Sequence, residues 1–242
     1  MARRHSKSVL TMVAATVMTI ATAGAYAYEA GPVSDGGTLK GKVTFAGSPP
    51  SKKKVIPTKD REACGSGVRE VDLILLGPDN GVEQAVVYLK EVRKGKAWEK
   101  LKATPEIDNV KCDFKPHVQI IPTGDIEIVN TDPVLHNTHG FYGKLTAFNV
   151  ALPNQGQRIR KPLKKSGIVR VECDAHGWML GWIYVAENPY YAVTDKDGSF
   201  TIKDVPAGTY TLVTWQEYAG EVETKVTVKA KEVVPVSVEL KK

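Results

Sequence analysis

Three side chains that bind transition metals stand three residues apart in one short segment. The segment at positions 171–182 reads V-E-C-D-A-H-G-W-M-L-G-W, and Cys173, His176 and Met179 form the pattern C-x-x-H-x-x-M within it. A thiolate, an imidazole and a thioether are soft or borderline metal ligands. The alternative is simple packing, because a buried cysteine behaves as a small hydrophobe and methionine fills gaps in cores.

The distribution of the ligand residue types favours a metal site over packing. Met179 is the only methionine outside the first 27 residues, and four of the five histidines lie between positions 117 and 176. Two histidines and a cysteine in a plane, with a weak axial methionine, form a blue-copper site. The segment supplies three of these four ligands. We therefore expect His136, in V-L-H-N-T-H, to be the fourth ligand of a single copper ion that cycles between Cu(I) and Cu(II).

Neighbouring polar residues leave alternatives for the ligand set. His139 is the other candidate for the remaining ligand, or a second metal contact. His117 is interpreted as a partly buried histidine, with metal binding as the alternative. If either joins the site, we expect a more open, tetragonal geometry. Asn137 is predicted to brace the ligand loop through hydrogen bonds, unless it is an ordinary turn residue.

The first 27 residues have the pattern of a secretory signal peptide. Basic residues precede a small, apolar run at 9–23, and Ala25-Tyr26-Ala27 fits the cleavage motif. The alternative is an uncleaved membrane anchor, because the apolar run is close to the length of a span. We expect a periplasmic or secreted protein, whose formal net charge falls from +6 to +3 when Arg3, Arg4 and Lys7 are removed.

Export places the three cysteines in an oxidising compartment, where cysteines pair or bind metal. An odd count leaves one cysteine apart from any pair. If Cys173 binds copper, Cys64 and Cys112 are free to form a disulfide. The alternatives are two separate thiols or a second small metal site.

Nearly every segment has the pattern of a β-strand. Residues 38–45 alternate between apolar and polar side chains. Strand-like runs also occur at 71–76, 85–92, 118–121, 126–130, 167–172, 182–185, 199–202, 209–215, 222–228 and 233–240. Glycine and proline turns separate these runs, and no segment shows a long 3.6-residue period. The pattern predicts an all-β protein built from sandwiches.

The central part of the chain resembles the cupredoxins, which are small Greek-key β-sandwich copper proteins. The similar stretches are Phe114-Lys115-Pro116, Gly124-Asp125, Ile128-Val129-Asn130 and Leu135-His136-Asn137, the last with leucine in place of proline. The resemblance covers about 103–187 and implies four copper ligands, namely His136, Cys173, His176 and Met179. The ligand spacing is similar to the short loop of amicyanin, although Gly177 stands where such loops often have proline.

A second resemblance, to the transthyretin-like or carboxypeptidase-regulatory-like sandwich, flanks the first. Residues 37–45 are similar to its opening strand, and residues 194–212 are similar to its central motif. We expect one sandwich split in sequence between 28–102 and 188–242, with the cupredoxin domain at 103–187 inserted into it. The alternative is three independent pieces. The strand at 85–92 fits either sandwich, and a Cys64–Cys112 disulfide would tie the insert to its host.

The cupredoxin resemblance implies an exported type 1 copper protein that carries single electrons. Its partner would be a redox protein such as a periplasmic cytochrome or a dehydrogenase. We expect His176 near the surface, with Trp178 and Trp182 as candidates for an apolar docking face, although Trp182 is better interpreted as core.

Other functional classes are weaker interpretations of the sequence. Copper handling, as a chaperone or storage protein, is the first alternative, and a non-metal β-sandwich binding module is the second. An enzyme is not expected, because four protein ligands leave no open position for a substrate. No segment resembles a nucleic-acid-binding motif, and none after the first 27 residues is apolar enough to cross a membrane.

Overall fold

The computed structural model describes residues 28–242, so the predicted signal peptide lies outside the described residues. The described chain is almost entirely β structure, as the sequence predicts. Apart from its strands it has one four-residue helix, α1 (Arg61–Cys64), and one 3-10 turn (Pro78–Asn80). Within this range no helix is long and apolar enough to span a membrane.

The strands follow one another in three groups along the chain. The first group is β1 (Glu29–Ala30), β2 (Gly37–Phe45), β3 (Lys53–Val55), β4 (Arg69–Val71), β5 (Leu75–Leu76), β6 (Val82–Glu83), β7 (Val86–Lys90) and β8 (Lys94–Gly95). The second is β9 (Glu106–Val110), β10 (Asp113–Lys115), β11 (Val118–Pro122), β12 (Gly124–Asn130), β13 (His136–Tyr142), β14 (Leu145–Leu152), β15 (Gln157–Leu163), β16 (Gly167–Cys173) and β17 (Leu180–Ala186). The third is β18 (Tyr191–Val193), β19 (Ser199–Val205), β20 (Gly208–Gln216), β21 (Gly220–Val228) and β22 (Val233–Leu240).

The second group forms a sandwich of two sheets, which we call the site sandwich. One sheet has the order β10-β9-β12-β15, and the other has the order β11-β17-β16-β13-β14. Alternate side chains of both sheets point inward and form one buried cluster, to which Ile128 of β12 and Val171 of β16 belong. Cys173 and Met179 belong to the same cluster, so the candidate metal ligands lie at the edge of a packed core.

The remaining long strands form a second sandwich, which we call the flanking sandwich. Its sheets have the orders β18-β7-β20-β21 and β19-β2-β22. Strand β2 pairs antiparallel with β19 and parallel with β22, both of which follow Tyr190. Strand β7 pairs with β18 and β20 and therefore belongs to this sandwich. The flanking sandwich is thus built from strands that precede and strands that follow the site sandwich in sequence.

A third apolar cluster joins the two sandwiches. It contains side chains of β7, β17 and β20, and the rings of Tyr88 and Tyr184 stack within it with centroids 4.2 Å apart. The indole rings of Trp182 and Trp215 also meet across this junction, at 4.9 Å. Trp182 is half-buried here.

A short segment between β2 and β5 crosses to the site sandwich. It comprises β3, α1 and β4 (residues 53–71), and we call it the strap. Strands β3 and β4 pair with each other, while Cys64 at the end of α1 forms a disulfide with Cys112, which follows β9. The Cα atoms of the two cysteines are 5.2 Å apart. A four-residue helix has little stability of its own. The disulfide and the hairpin pairing therefore hold the strap in place.

The strand expected at 71–76 is interrupted in the structure. Strand β4 ends at Val71, and β5 begins only at Leu75. Between them the carbonyl of Leu73 accepts a hydrogen bond from Nε2 of Gln216 at 3.2 Å. The backbone of this run pairs first within the strap, at β4, and then contacts the flanking sandwich, at Leu73. The apolar pattern in the sequence does not indicate this change.

Candidate metal centre

Three buried donor atoms converge at the edge of the site sandwich. Nδ1 of His136 and Nδ1 of His176 are 3.1 Å apart, and they lie 3.7 Å and 3.6 Å from Sγ of Cys173. The two histidines are fully buried, and Cys173 is 2% exposed. The structure therefore brings together three of the four ligand residues predicted from the sequence, although 37 positions separate His136 from Cys173.

The size of this triangle fits a metal ion at its centre. Metal–nitrogen bonds of about 2.0 Å and a metal–sulfur bond of about 2.3 Å, spaced at about 120° in a plane, place nitrogen and sulfur about 3.7 Å apart. They place the two nitrogens about 3.5 Å apart. The two nitrogen–sulfur separations match this expectation, and the nitrogen–nitrogen separation is slightly shorter. The donor set of two imidazoles and one thiolate suits copper or zinc.

Each of the two candidate ligand histidines contacts a carboxylate through the ring nitrogen that faces away from the sulfur. Nε2 of His136 lies 3.0 Å from Oδ2 of Asp132, and Nε2 of His176 lies 2.9 Å from Oδ2 of Asp60. An ionised carboxylate only accepts hydrogen bonds, so each Nε2 carries a proton and each Nδ1 is the ring nitrogen that faces the sulfur of Cys173. Carboxylates behind ligand histidines are a common feature of metal sites, where they fix the ring orientation.

Asp132 is positioned by a buried network that the sequence analysis missed. The side-chain amide of Asn130 donates to the carbonyls of Val134 and Leu152, both at 2.9 Å, and its oxygen accepts from the backbone N–H of Asp132. The loop between β12 and β13 is thereby fixed, and it presents Asp132 to the histidine that opens β13. The spacing Asp132-x-x-x-His136 was the available signal, because it places an acid close to the candidate ligand.

Asp60 belongs to the strap and lies 116 positions before its partner histidine. It precedes α1 with a left-handed backbone (φ 47°), a conformation that aspartate and asparagine tolerate better than most residues. No local motif in the sequence connects this acid with the C-x-x-H-x-x-M segment. Its contact with His176 depends on the path of the strap.

The strap makes the site more enclosed than the sequence predicts. We expected His176 near the surface, but its side chain is fully buried under the strap, so this expectation was wrong. Trp178 is half-buried; its indole N–H donates to the carbonyl of Cys112 at 3.2 Å, and its ring centroid lies 5.1 Å from that of His176. It packs on the ligand histidine and does not form an open docking face.

Hydrogen bonds to the sulfur favour its thiolate form. Burial alone would raise the pKa of Cys173, but hydrogen bonds from both ligand histidines and from the backbone N–H groups of Asn137 and Ala175 outweigh it and lower the pKa to about 6. The amide N–H of Asn137 lies 3.4 Å from Sγ. A thiolate is the metal-binding form of cysteine.

Asn137 was predicted to brace the ligand loop through hydrogen bonds. In the structure, the hydrogen bonds that Asn137 makes to this loop come from its backbone. Besides the N–H that contacts the sulfur, its carbonyl accepts a hydrogen bond from the backbone N–H of Asp174 at 3.1 Å. These two contacts tie the start of β13 to the end of β16. Its side-chain Oδ1 is buried and has no hydrogen-bond partner among the described residues.

Met179, the predicted axial ligand, is 2% exposed and packs in the same apolar cluster as Cys173. Its backbone N–H donates to the carbonyl of His176 at 3.0 Å, and the N–H of His176 donates to the carbonyl of Cys173 at 3.2 Å. These two tight turns fold the C-x-x-H-x-x-M segment back on itself.

The other two candidate histidines lie away from the three donors. Nδ1 of His117 lies 3.0 Å from the carbonyl of Leu180, and its Nε2 lies 2.9 Å from Oε1 of Glu217 in the flanking sandwich. His139 instead contacts Asp174 and Thr146 through its ring nitrogens, at 3.2 Å and 3.0 Å. Both histidines therefore have protein partners for both nitrogens.

Glu217 of the flanking sandwich forms hydrogen bonds to the site sandwich. In addition to His117, it accepts a hydrogen bond from the indole N–H of Trp182. Burial alone would lower the pKa of His117, but the hydrogen bond to Glu217 and its negative charge raise it above its ordinary value. We infer that His117 stabilises the contact between the two sandwiches.

Comparisons with known proteins give partial matches. The profile of polysaccharide lyase family 4, domain II, matches residues 167–235, which is less than a third of the chain. Among curated proteins, none matches this chain.

Three similar solved structures are a purple cupredoxin, an amicyanin and a copper-containing nitrite reductase. A purple cupredoxin from Nitrosopumilus maritimus is 23% identical, with a TM-score of 0.31 over 34% of this chain and 99% of its own. Amicyanin from Paracoccus versutus is 16% identical, with a TM-score of 0.32 over 36% of this chain and 86% of its own. A copper-containing nitrite reductase from Thermus scotoductus is 28% identical, with a TM-score of 0.32 over 38% of this chain and 24% of its own.

Proposed function

We propose that this chain is an exported type 1 copper protein that carries single electrons between redox partners. One observation carries the proposal, namely that Nδ1 of two buried histidines and Sγ of a buried cysteine converge at 3.1–3.7 Å. When these three atoms present lone pairs and negative charge to one another in a buried place, they need a cation between them. His136, Cys173, His176 and Met179 would hold the copper ion. Bound copper would supply a one-electron Cu(II)/Cu(I) couple.

The protein holds the donor atoms in fixed positions and buries them away from solvent. Asp132 and Asp60 orient the two imidazoles, and the amide N–H of Asn137 supports the sulfur. A packed core lies on one side and the strap on the other. A site that changes little when its charge changes is suited to electron transfer, because few groups have to reorganise.

Electron transfer is better supported than copper handling. A chaperone or storage site needs ligands that exchange. Both candidate ligand histidines here are fully buried, and the Nε2 atom of each contacts a carboxylate. His117 and His139, which would have supplied extra ligands for a handling site, are engaged elsewhere. The chain would exchange electrons with a periplasmic redox protein such as a cytochrome or a dehydrogenase, without a catalytic step of its own.

Direct electrochemistry tests this function. Mature protein loaded with Cu(II) is placed on an electrode, and its voltammogram is recorded beside those of the zinc-loaded protein and the Cys173→Ser variant. We expect one reversible one-electron wave in the copper protein alone. Irreversible reduction with loss of copper would favour copper handling, and absence of copper uptake would favour a non-metal binding module.

A further inference from the structure

The disulfide between Cys64 and Cys112 lies directly against the metal centre. A ring nitrogen of His176 and the two sulfurs all lie within 4.8 Å of one another, and all three residues are buried. Sγ of Cys112 also lies within 4.8 Å of a ring nitrogen of His136. Three sulfurs and two imidazoles are therefore gathered in one small region of the site sandwich.

The backbone of Cys112 is fixed by contacts other than the disulfide. Its N–H donates to Oδ2 of Asp132 at 2.8 Å, the same oxygen that holds His136. Its carbonyl accepts from Trp178 at 3.2 Å and from the guanidinium of Arg69 at 3.4 Å. These bonds do not require the sulfur–sulfur bond.

The backbone of Cys64 is likewise supported from within the strap. Its N–H donates to the carbonyl of Asp60 at 2.8 Å, and the pairing of β3 with β4 closes the strap around α1. Asp60 itself is anchored to His176, and Arg69 forms an ion pair with Asp113 next to Cys112. Two thiols released from the disulfide would thus remain close to each other and to His176.

We propose that the reduced Cys64–Cys112 pair forms a second site for a soft monovalent metal, Cu(I), beside the first. A dithiol reductant would break the sulfur–sulfur bond by exchange and become a cyclic disulfide, so that two electrons and two protons pass to Cys64 and Cys112. Binding of Cu(I) to the two sulfurs then releases both protons. Thiolates are among the ligands that select Cu(I), and the two sulfurs together would form the second site.

This second site goes beyond the electron-carrier function, because it gives the chain a copper capacity that depends on the state of its disulfide. With the disulfide intact, only the first site is available. After reduction, the chain would hold two copper ions. The strap is the structural element that provides half of the second site.

Counting Cu(I) per chain under anaerobic conditions tests the proposal. Mature protein is titrated with Cu(I) from a bicinchoninate complex, either as isolated or after treatment with dithiothreitol and its removal. We expect one tightly held ion in the oxidised protein and two in the reduced protein. The Cys64→Ser/Cys112→Ser variant is expected to hold one ion under both conditions, and reduced Cys173→Ser is expected to retain one.

Each contrary outcome has a distinct meaning. A single ion in the reduced wild type would overturn the second site, and so would a second ion that persists in the double serine variant. Loss of the β-sheet circular dichroism spectrum on reduction would also overturn it, because the thiols would no longer lie beside His176. Absence of copper from the oxidised wild type would instead contradict the first site and the proposed function.

Discussion

The carboxylate of Asp60 lies 2.9 Å from Nε2 of His176, although 116 positions separate the two residues. Through this contact the strap packs against His176, one of the candidate metal ligands. Both candidate ligand histidines thus have the same arrangement, in which Nε2 contacts a carboxylate and Nδ1 faces the sulfur of Cys173. The contact also buries a histidine that the sequence pattern alone would place at the surface.

We predict that Asp60→Asn weakens copper binding by about 10- to 100-fold, because the uncharged amide no longer fixes the His176 ring as strongly. Asparagine also tolerates the left-handed backbone at this position, so the fold should be kept. Competition with a copper chelator measures the affinity. The matched control is Asp174→Asn, which alters a carboxylate on His139. Equal losses in both variants would contradict the role assigned to Asp60.

We predict that Asp132→Asn destabilises the metal-free protein by about 1–3 kcal/mol. Its two carboxylate oxygens accept hydrogen bonds from Lys111 N–H, Cys112 N–H and His136 Nε2, and the side chain is buried. An asparagine would turn its N–H group toward donors that need an acceptor. Urea unfolding followed by circular dichroism measures the change. A variant as stable as wild type would show that this network contributes little to folding.

We predict that the Cys173 thiol titrates near pH 6 in the metal-free, disulfide-intact protein, against an ordinary value of 9.0. Cys173 is the only cysteine outside the disulfide, so the thiolate absorbance near 240 nm reports on it alone. Since the pKa is lower in the folded state, the thiolate stabilises the fold at high pH, and this stabilisation is lost as the pH falls from 9 toward 6. Cys173→Ser should lack the step. A midpoint near 9 would contradict the donor geometry.

We predict that Glu217→Gln destabilises the protein more at pH 5.5 than at pH 8.5. The pKa of His117 is raised by Glu217, so protonated His117 stabilises the fold below its ordinary pKa of 6.5, and this contribution is lost as the pH rises through the higher folded value. Thermal unfolding at the two pH values measures the difference. The visible spectrum of the copper form should not change, because neither residue contacts the metal donors. A changed spectrum would assign His117 to the metal site after all.

We predict that Gly177→Ala stabilises the protein by about 0.4–1 kcal/mol. A Cβ at Gly177 would meet no atom within 4 Å, and its φ lies outside the left-handed region. The gain arises because alanine restricts the unfolded chain. The contrasting variant is Gly181→Ala, whose Cβ would lie 3.0 Å from that of Phe114 and should destabilise the buried strand. Denaturant unfolding of both variants measures the two changes in unfolding free energy, which should have opposite signs.

The local parts of this structure could be predicted from the sequence. Alternating residues predicted strands such as β2. The odd number of cysteines, together with the assignment of Cys173 to copper, led to the expected Cys64–Cys112 disulfide, which is present in the structure. The C-x-x-H-x-x-M spacing placed Cys173 and His176 on one loop, and their sulfur and nitrogen do lie together. Each of these predictions depends on neighbours in sequence or on simple counting.

The long-range parts could not be predicted in this way. Asp60 lies in a polar, irregular segment whose composition indicates only an exposed loop. Its contact with His176 is set by the path of the strap and by the disulfide that joins the strap to Cys112. The burial of His176 follows from the same contact, so the error about its exposure and the failure to foresee Asp60 have one physical cause.

The most direct test of the metal centre is the combined visible and electron paramagnetic resonance spectrum of mature protein loaded with Cu(II), beside Cys173→Ser and Met179→Leu. We predict an intense visible thiolate-to-copper band with narrow copper hyperfine splitting, lost in Cys173→Ser and shifted in Met179→Leu. A colourless protein with wide splitting would contradict the proposed site, because such a spectrum reports nitrogen and oxygen ligands without the thiolate.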